Sequence, residues 1–289
     1  MPPPDDLTEV EKPTSLLIAQ FFLFPLIVIA FGIGIFLLFG YVTFDQKAPE
    51  AYLREISQGS GGSPFDTRRW QAALDLSKVI AADSGELRSS GFGDELLRVY
   101  SNADSDDPRI RQFLAISLGH LGNPAAVPAL IDGLSDETIE TQIWTLWALG
   151  AIGDTSAARS VVTMIGSNDS GVRKIAVYIL GTLKDPSTII DLQVALNDPT
   201  ADVRWNAAMA LAQMNDDAGA GILLELTDRI YLSQFVEISG EERDNVMVNA
   251  VKSLSMLKLE DARGHLASLS QTDPSLSVRD AALEALDMY

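Results

Sequence analysis

The chain contains no cysteine and only two histidines among its 289 residues. The absence of cysteine excludes disulfides, thiol nucleophiles and cysteine-based metal sites. His120 and His265 lie far apart in the sequence, and His120 falls in a turn, where a histidine is ordinarily a surface residue. We therefore predict no metal ion and no cofactor. The compartment stays open, because a cysteine-free protein suits either side of a membrane.

Basic residues are scarce, since 21 lysines and arginines stand against 40 aspartates and glutamates and the formal net charge is −19. Nucleic-acid binding needs a basic surface that displaces counterions from phosphates, so the composition argues against it. The sequence also lacks a glycine-rich phosphate loop, a His–Glu metal signature and a nucleophilic-serine elbow. Carboxylates this numerous form chance pairs without marking a catalytic site. We expect no enzyme activity and no small-molecule substrate.

Residues 15–41 carry no charged side chain, whereas Lys12 precedes them and Asp45 follows. At a helical rise of about 1.5 Å per residue, this segment exceeds the roughly 30 Å hydrocarbon thickness of a bilayer. A secretory signal would have a basic leader and an apolar stretch of only about 7–15 residues. Residues 1–14 instead form an acidic tail. The sequence therefore predicts a retained transmembrane helix over residues 15–41, in contact with the lipid bilayer.

Small residues inside the predicted span offer a packing surface. Ala30 and Gly34 are four residues apart with Gly32 between them, and such pairs let transmembrane helices approach closely. The spacing fits an anchor that packs on partner helices, although glycine and alanine are common in membrane helices generally. The flanking basic residues Lys47 and Arg54 favour a cytoplasmic body. We expect a single-pass protein of the bacterial inner membrane with its body in the cytoplasm, and the exoplasmic orientation remains open.

Residues 42–65 have the composition of a juxtamembrane segment and linker. They contain a short helix candidate, AYLREIS, followed by the Gly- and Ser-rich string SQGSGGSP. Such segments behave as flexible tethers. The folded body is therefore predicted to begin near Asp66.

A repeat of 31 residues governs the middle of the chain, where it relates Gly119, Gly150 and Gly181, with Ala212 in the next position. The same interval relates Arg111, Gln142, Arg173 and Arg204, and again Leu118, Leu149, Leu180 and Leu211. Each copy is predicted to form a helix with apolar residues at i, i+3, i+4 and i+7, closed by the glycine in a left-handed conformation. A shorter second helix and an Asp-rich turn follow. A period in this range indicates an all-α fold, an α-solenoid of antiparallel helix pairs.

Three further copies are displaced by insertions and begin at Arg69, Met247 and Arg279. The repeat domain, residues 66–289, is therefore predicted to contain six helix pairs and a final helix.

Two copies carry the string Asp-Pro-x-x-x-Val-Arg followed by Ala-x-x-Ala-Leu. The residues are Asp198, Pro199, Val203, Arg204, Ala207 and Leu211, and Asp273, Pro274, Val278, Arg279, Ala282 and Leu286. The pattern resembles the HEAT repeat of the short bacterial type that also occurs in phycobilin lyases, and the resemblance covers about residues 66–289. It implies a right-handed superhelix in which each recurrent arginine pairs with an aspartate of an adjoining turn. Gln142 departs from the pattern, so one pairing is expected to be weaker.

The insertion at residues 229–243 breaks the period and carries Tyr231, Leu232 and Phe235. Insertions in solenoids map to loops on one face, often the binding face, and aromatic residues are preferred interface anchors. The three residues are therefore candidates for protein contact. The alternative is that Tyr231 and Phe235 pack onto the neighbouring helix pair.

The tryptophans fall into two groups by register. Trp70 and Trp205 share a column of mixed apolar and polar residues, which predicts half-exposed side chains and makes both contact candidates. The alternative places each of them flat on its own helix pair. Trp144 and Trp147 align with apolar residues and are predicted to belong to the core.

The final helix has no second helix after it in this sequence. Solenoid ends need polar caps, so Met288 and Tyr289 require another surface unless this helix caps the array itself. We expect a partner subunit to cover them.

These features favour a non-catalytic, membrane-anchored scaffold, an accessory subunit that binds and stabilises other subunits of a larger membrane complex through its span and its solenoid surface. Its acidic surface suits a partner with a basic face. One alternative is a tethered adaptor that recruits a soluble partner to the membrane, which the linker favours. The other is a chromophore-lyase-like enzyme or assembly factor, which the resemblance to phycobilin lyases implies.

Overall fold

The structure, a computed structural model, describes residues 33, 47–58, 67–85, 87–89, 91–103, 107–135 and 138–289. The chain divides into two units, Met1–Ala48 and Pro49–Tyr289. The predicted acidic tail and transmembrane helix, with Ala30, Gly32 and Gly34, lie outside the described residues. Among the residues that are described, no helix has the length and apolar content needed to cross a membrane.

The second unit is built from α-helices, and its described residues include no strand. In chain order the helices are α1 (Pro49–Ser57), α2 (Thr67–Ala82), α3 (Phe92–Ser101), α4 (Pro108–Leu121), α5 (Val127–Gly133), α6 (Ile139–Ile152), α7 (Ala158–Met164), α8 (Ser170–Leu183), α9 (Ile189–Ala195), α10 (Ala201–Gln213), α11 (Ala220–Glu225), α12 (Arg229–Leu232), α13 (Gly240–Leu257), α14 (Glu260–Thr272) and α15 (Leu276–Leu286). Single turns of 3-10 helix precede α3, α5, α7 and α9.

The helices form two layers. Helices α2, α4, α6, α8, α10, α13 and α15 pack side by side in chain order and make up what we call the first-helix layer. The intervening helices α3, α5, α7, α9, α11 and α14 make up the second-helix layer, and each packs against the first helix that follows it. The predicted all-helical stack of repeats is therefore confirmed.

Local capping signals set the starts and ends of the first helices. The Asp107 carboxylate accepts a hydrogen bond from the Arg109 backbone N–H with Pro108 at the first helical position, and Asp169 caps α8 in a similar way. A side chain that accepts from the first free N–H groups stabilises a helix start by about 1 kcal/mol. Helices α4, α6 and α8 each end at a residue whose backbone has the left-handed conformation, namely Gly122, Gly153 and Lys184.

The repeated glycines do not close the turns, which corrects the expectation from sequence. Gly119 and Gly181 lie inside α4 and α8, three residues before the left-handed positions. A Cβ atom on Gly119 would lie 2.9 Å from the Cα of Ala148, and one on Gly181 would lie 2.9 Å from the Cα of Ala210. The 31-residue glycine column therefore exists because neighbouring first helices cross in close backbone contact.

The repeat body begins at Pro49, earlier than the predicted start near residue 66. Tyr52, Leu53 and Ile56 of α1 are buried in the same core as α2 and α3. The Nε of Arg69 donates to the carbonyl of Ile56 at 2.7 Å and so caps the end of α1. The AYLREIS segment is therefore part of the array, whereas residues 59–66 of the predicted linker lie outside the described residues.

Arg173 forms the aspartate pair that the resemblance implies. The Arg173 guanidinium donates to both carboxylate oxygens of Asp198, with Nε–Oδ2 and Nη2–Oδ1 distances of 2.8 and 3.0 Å. Asp198 also accepts from the Thr200 backbone N–H at 2.8 Å. Both side chains are largely buried, and the hydrogen bonds from Arg173 lower the pKa of the Asp198 carboxyl group.

Two other members of the same column lack a carboxylate partner in the described part of the chain. Gln142 donates its amide to the Leu134 carbonyl at 3.2 Å, in keeping with the weaker pairing expected there. Arg204 donates to the carbonyls of Asp198 and Pro199. The residue that corresponds to Asp198 one repeat later is Arg229, so the sequence offers Arg204 no carboxylate in this register.

Replacing Asp198→Asn is expected to destabilise the fold by about 2 kcal/mol at neutral pH, because Arg173 loses a charge-assisted bidentate partner. The folded-state pKa of Asp198 is lowered, so its stabilising contribution is complete above the unfolded pKa of about 3.9 and is lost as pH falls through the lower folded value. Urea unfolding at pH 7 and pH 3 should show the variant's deficit shrinking in acid. The exposed Asp287→Asn substitution is the charge-matched control, and an equal effect of the two would contradict the pairing.

Candidate protein-interaction surface

One face of the first-helix layer exposes large apolar side chains in consecutive repeats. They occupy two register positions three residues apart, which share one face of a helix. We call this row the aromatic band, and its members are Phe113, Ile116, Trp144, Trp147, Ile175, Tyr178 and Met209. Trp144 is 40% exposed and Tyr178 is 52% exposed. The others are half-buried, so the band combines two exposed aromatic side chains with partly exposed apolar residues in the same register positions.

The position of α6 corrects the core prediction for Trp144. Thr141 and Thr145 are fully buried, whereas Trp144 is exposed and Trp147 is half-buried against the core. Apolar residues surround most of α6, so hydrophobic periodicity does not select the buried face. The close crossings with α4 and α8 select it instead, and Trp144 is left facing outward.

Ring contacts hold the centre of the band in place. Trp144 and Trp147 meet edge to face at 6.4 Å between centroids, and His120 meets Trp147 edge to face at 4.9 Å. Burial lowers the pKa of His120, so its imidazole stays neutral near pH 7. The band is therefore preordered and uncharged at its centre, as a contact surface requires.

A groove of about 510 Å³ continues the band between α8, α10 and α13. Its apolar lining is Ile175, Tyr178, Trp205, Met209, Ile238 and Val246, and its polar lining is Lys174, Asp202, Asn206, Glu242, Asn245 and Asn249. Sequence reasoning missed this groove, because it joins three helices that are not adjacent in the chain.

The insertion packs onto the repeat body, as expected if Tyr231 and Phe235 contact the neighbouring helix pair. Leu232 is fully buried and Trp205 is 5% exposed. Phe235 meets Trp205 edge to face at 4.7 Å, and Tyr231 lies 5.4 Å from Phe235 between ring centroids. The insertion also exposes two apolar side chains, Ile230 at 77% and Val236 at 88%.

Arg229, the first residue of the insertion, ties the C-terminal repeats together. Its guanidinium donates to Asp273 through Nε at 2.8 Å and through Nη2 at 2.6 Å, and Nη2 also donates to Asp244 at 2.8 Å. The carboxylates raise the pKa of Arg229. Asp273 corresponds to Asp198, but the register position of Arg173 is occupied by Met247 in α13. The insertion therefore supplies the arginine that this repeat lacks.

The remaining candidates lie near the two ends of the array. Trp70 is half-buried, and the Arg109 guanidinium lies 4.4 Å from its ring centroid. Tyr289 packs against the C-terminal core, whereas Met288 is 49% exposed and Leu283 is 52% exposed. Tyr289, which follows α15, therefore packs back onto the C-terminal core, while Leu283 leaves part of the outer face of α15 apolar and exposed.

Within the described ranges, no group of three or more histidine, aspartate or glutamate side chains is arranged to hold a metal ion.

A family model for HEAT repeats matches residues 96–178 and 160–231. This part of the chain is therefore similar to HEAT repeats. No curated protein sequence matches the chain.

Two solved structures share the fold. The complex of CpcE and CpcF of phycocyanin lyase from Nostoc sp. PCC7120 is similar with a TM-score of 0.55 at 18% identity, covering 83% of this chain and 94% of that chain. The Escherichia coli protein YibA is similar with a TM-score of 0.51 at 13% identity, covering 84% of this chain and 93% of that chain. Identities this low support similarity of fold alone.

Proposed function

We propose that this protein, whose residues 96–231 match a family model for HEAT repeats, is a non-catalytic, membrane-anchored scaffold that binds and stabilises other subunits of a membrane protein complex. The observation that carries the proposal is the aromatic band, because large apolar side chains that stay exposed or partly exposed in consecutive repeats mark an interaction site. Solenoids present extended surfaces of this kind to their partners.

The partner's chemistry follows from charge. The chain has a net charge of −19, so a partner with a basic face is attracted during encounter and like-charged proteins are repelled. Electrostatic attraction brings the partner to the surface but contributes little binding energy. The aromatic band supplies that energy, since aromatic residues account for much of the binding energy at interfaces.

The anchor rests on sequence alone. Residues 15–41 carry no charge and exceed the length that a bilayer requires, which supports a single span in the bacterial inner membrane. The flanking Lys47 and Arg54 support a cytoplasmic body. The span would then pack on partner helices through Ala30, Gly32 and Gly34.

Purification from membranes in a mild nonionic detergent tests the scaffold role. We expect the full chain to co-purify with partner subunits, and the double variant Phe113→Ala and Trp144→Ala to retain less than about a tenth of them, because loss of a hot-spot aromatic costs 2 kcal/mol or more. The matched control is Ile190→Ala and Val194→Ala, two exposed apolar residues of the second-helix layer. Equal recovery of partners with both double variants would contradict the role of the band.

Deletion of residues 1–41 tests the anchor separately. Loss of the partners together with membrane association supports a span that packs within the complex. If the truncated body kept every partner, the span would be a tether, as in the adaptor alternative.

A second candidate function is bilin attachment, favoured by the similarity of fold to the phycocyanin lyase complex. In this case the protein mixed with a bilin should change the absorption spectrum or form a covalent adduct. An unchanged spectrum and an unchanged protein mass would exclude it.

A further inference from the structure

The insertion after α11 borders the groove between α8, α10 and α13, because its residue Ile238 lines the groove. Helices α4, α6 and α8 carry a glycine where each meets the next first helix, whereas α10 carries Ala212 in that register. Helices α10 and α13 also pack against each other less extensively than the other consecutive first helices in the described array. Phe235 meets Trp205 edge to face beside this interface. Trp205 also lines the groove between α8, α10 and α13, so the contact with Phe235 supports the lining of the groove.

The floor of the groove is apolar and accessible. Tyr178 is 52% exposed, and Ile175, Met209 and Val246 are half-buried around it. Trp205 lies at the base, held by the edge-to-face contact with Phe235. The volume of about 510 Å³ lies in the range of protein sites that enclose a ligand group.

Two carboxamides on the α13 side of the groove are unengaged. Asn245 and Asn249 are exposed, and their side chains make no hydrogen bond to any other described residue. They lie one turn apart on one helix face, about 6 Å along the axis. Asn206, across the groove, already donates to the Asp202 carbonyl at 2.7 Å. A carboxamide offers both donors and an acceptor, so each free one matches a peptide group.

This spacing selects an extended ligand. A helical segment satisfies its own backbone N–H and C=O groups, whereas an extended segment leaves them open. Two residues of extended chain span about 6.6 Å, close to the separation of the two carboxamides. Asn245 and Asn249 therefore fit alternate backbone groups of an extended segment, while the side chain between them reaches the apolar floor.

The charges around the groove favour a basic ligand. Lys174 faces the groove, but its ammonium group lies 3.2 Å from the Asp202 carboxylate, which offsets it. Glu242 then leaves a net negative charge on the lining, and Glu241 is exposed beside it on the same helix turn. The charge of the whole chain has the same sign.

We propose that the groove between α8, α10 and α13 binds an extended segment of a partner protein in which an apolar side chain is flanked by lysine or arginine. The apolar side chain lies on Tyr178 and Met209, the backbone pairs with Asn245 and Asn249, and the basic residues face Glu241 and Glu242. This assignment rests on the proposed scaffold function and names the part of a partner that it recognises.

Selection from a phage-displayed library of random dodecapeptides on the full chain in nonionic detergent tests the assignment. We expect enriched peptides to share an apolar residue flanked by lysine or arginine. Synthetic fluorescent copies should bind at least tenfold more weakly to Tyr178→Ala and to the double variant Asn245→Ala and Asn249→Ala. The control Ile190→Ala should change the affinity less than twofold. Alanine favours helices more than asparagine does, so weakened binding by the double variant would not come from unfolding.

Three results would overturn the assignment: enrichment of acidic or featureless peptides, equal affinity of the groove variants and the control, or occupation of the groove by the protein itself. The last is detected when Tyr178 is replaced by the photoreactive residue benzoylphenylalanine and the purified protein crosslinks to a second copy or to its own residues 1–46. Partner co-purification is scored separately. If partners remain bound while peptide binding fails, the scaffold function stands and the groove assignment falls.

Discussion

Replacing Arg229→Ala is expected to lower the free energy of unfolding of the C-terminal repeats by about 3 kcal/mol, because it leaves a buried carboxylate without its cation. The Asp273 side chain is 3% exposed and receives two hydrogen bonds from Arg229, while Asp244 receives a third. The Arg229 side chain is 32% exposed, so the expected loss of unfolding free energy lies at the low end of the range for breaking a buried ion pair. Arg229→Lys should restore only part of this free energy, since an ammonium group cannot form the bidentate contact.

Hydrogen exchange and urea unfolding of the full chain measure this effect. Repeat arrays gain stability from nearest-neighbour interfaces, so protection should fall in α13–α15 and stay unchanged in α4–α8. Arg98→Ala is the control, because its pair with Glu95 at 3.4 Å is exposed on both sides and is worth less than about 1 kcal/mol. Uniform loss of protection along the chain, or a loss no larger than that of the control, would show that Arg229 does not connect the C-terminal repeats.

Replacing Gly181→Ala is expected to destabilise the body by about 2 kcal/mol, although alanine is the better helix former. The new Cβ would lie 2.7 Å from the Cβ and 2.9 Å from the Cα of Ala210. A backbone atom cannot move aside as a flexible side chain does, so α8 and α10 must separate. Because the band and the groove both cross these helices, partner recovery should fall as well.

Gly264→Ala is the matched control for this prediction. Gly264 lies within α14, and a Cβ there meets no atom within 4 Å. Without a clash, the helix propensity of alanine should raise the stability by about 1 kcal/mol. A lower melting temperature for Gly181→Ala and a higher one for Gly264→Ala would establish that the glycine column allows neighbouring first helices to cross closely. A higher melting temperature for both variants would contradict this role.

The sequence by itself determined the repeat and its register. These features depend on local signals: apolar residues at helical spacing, and one interval that returns Gly119, Gly150 and Gly181. The anchor over residues 15–41 also follows from local composition and stays a prediction. Of the candidate contact residues, Tyr231, Leu232 and Phe235 were correctly located in an insertion, but the sequence left open whether they bind or pack.

Tertiary structure decided which surfaces are available. It exposed Trp144 and buried Thr145, because close crossings with two neighbouring helices, rather than hydropathy, chose the inner face of α6. It brought Arg229 to Asp273, which lies 44 residues later in the chain. It brought residues of α8, α10 and α13 together around one groove, which the insertion borders through Ile238. Each of these outcomes depends on how far apart two helices lie, and that distance results from contacts between repeats that the spacing of residues within one helix does not encode.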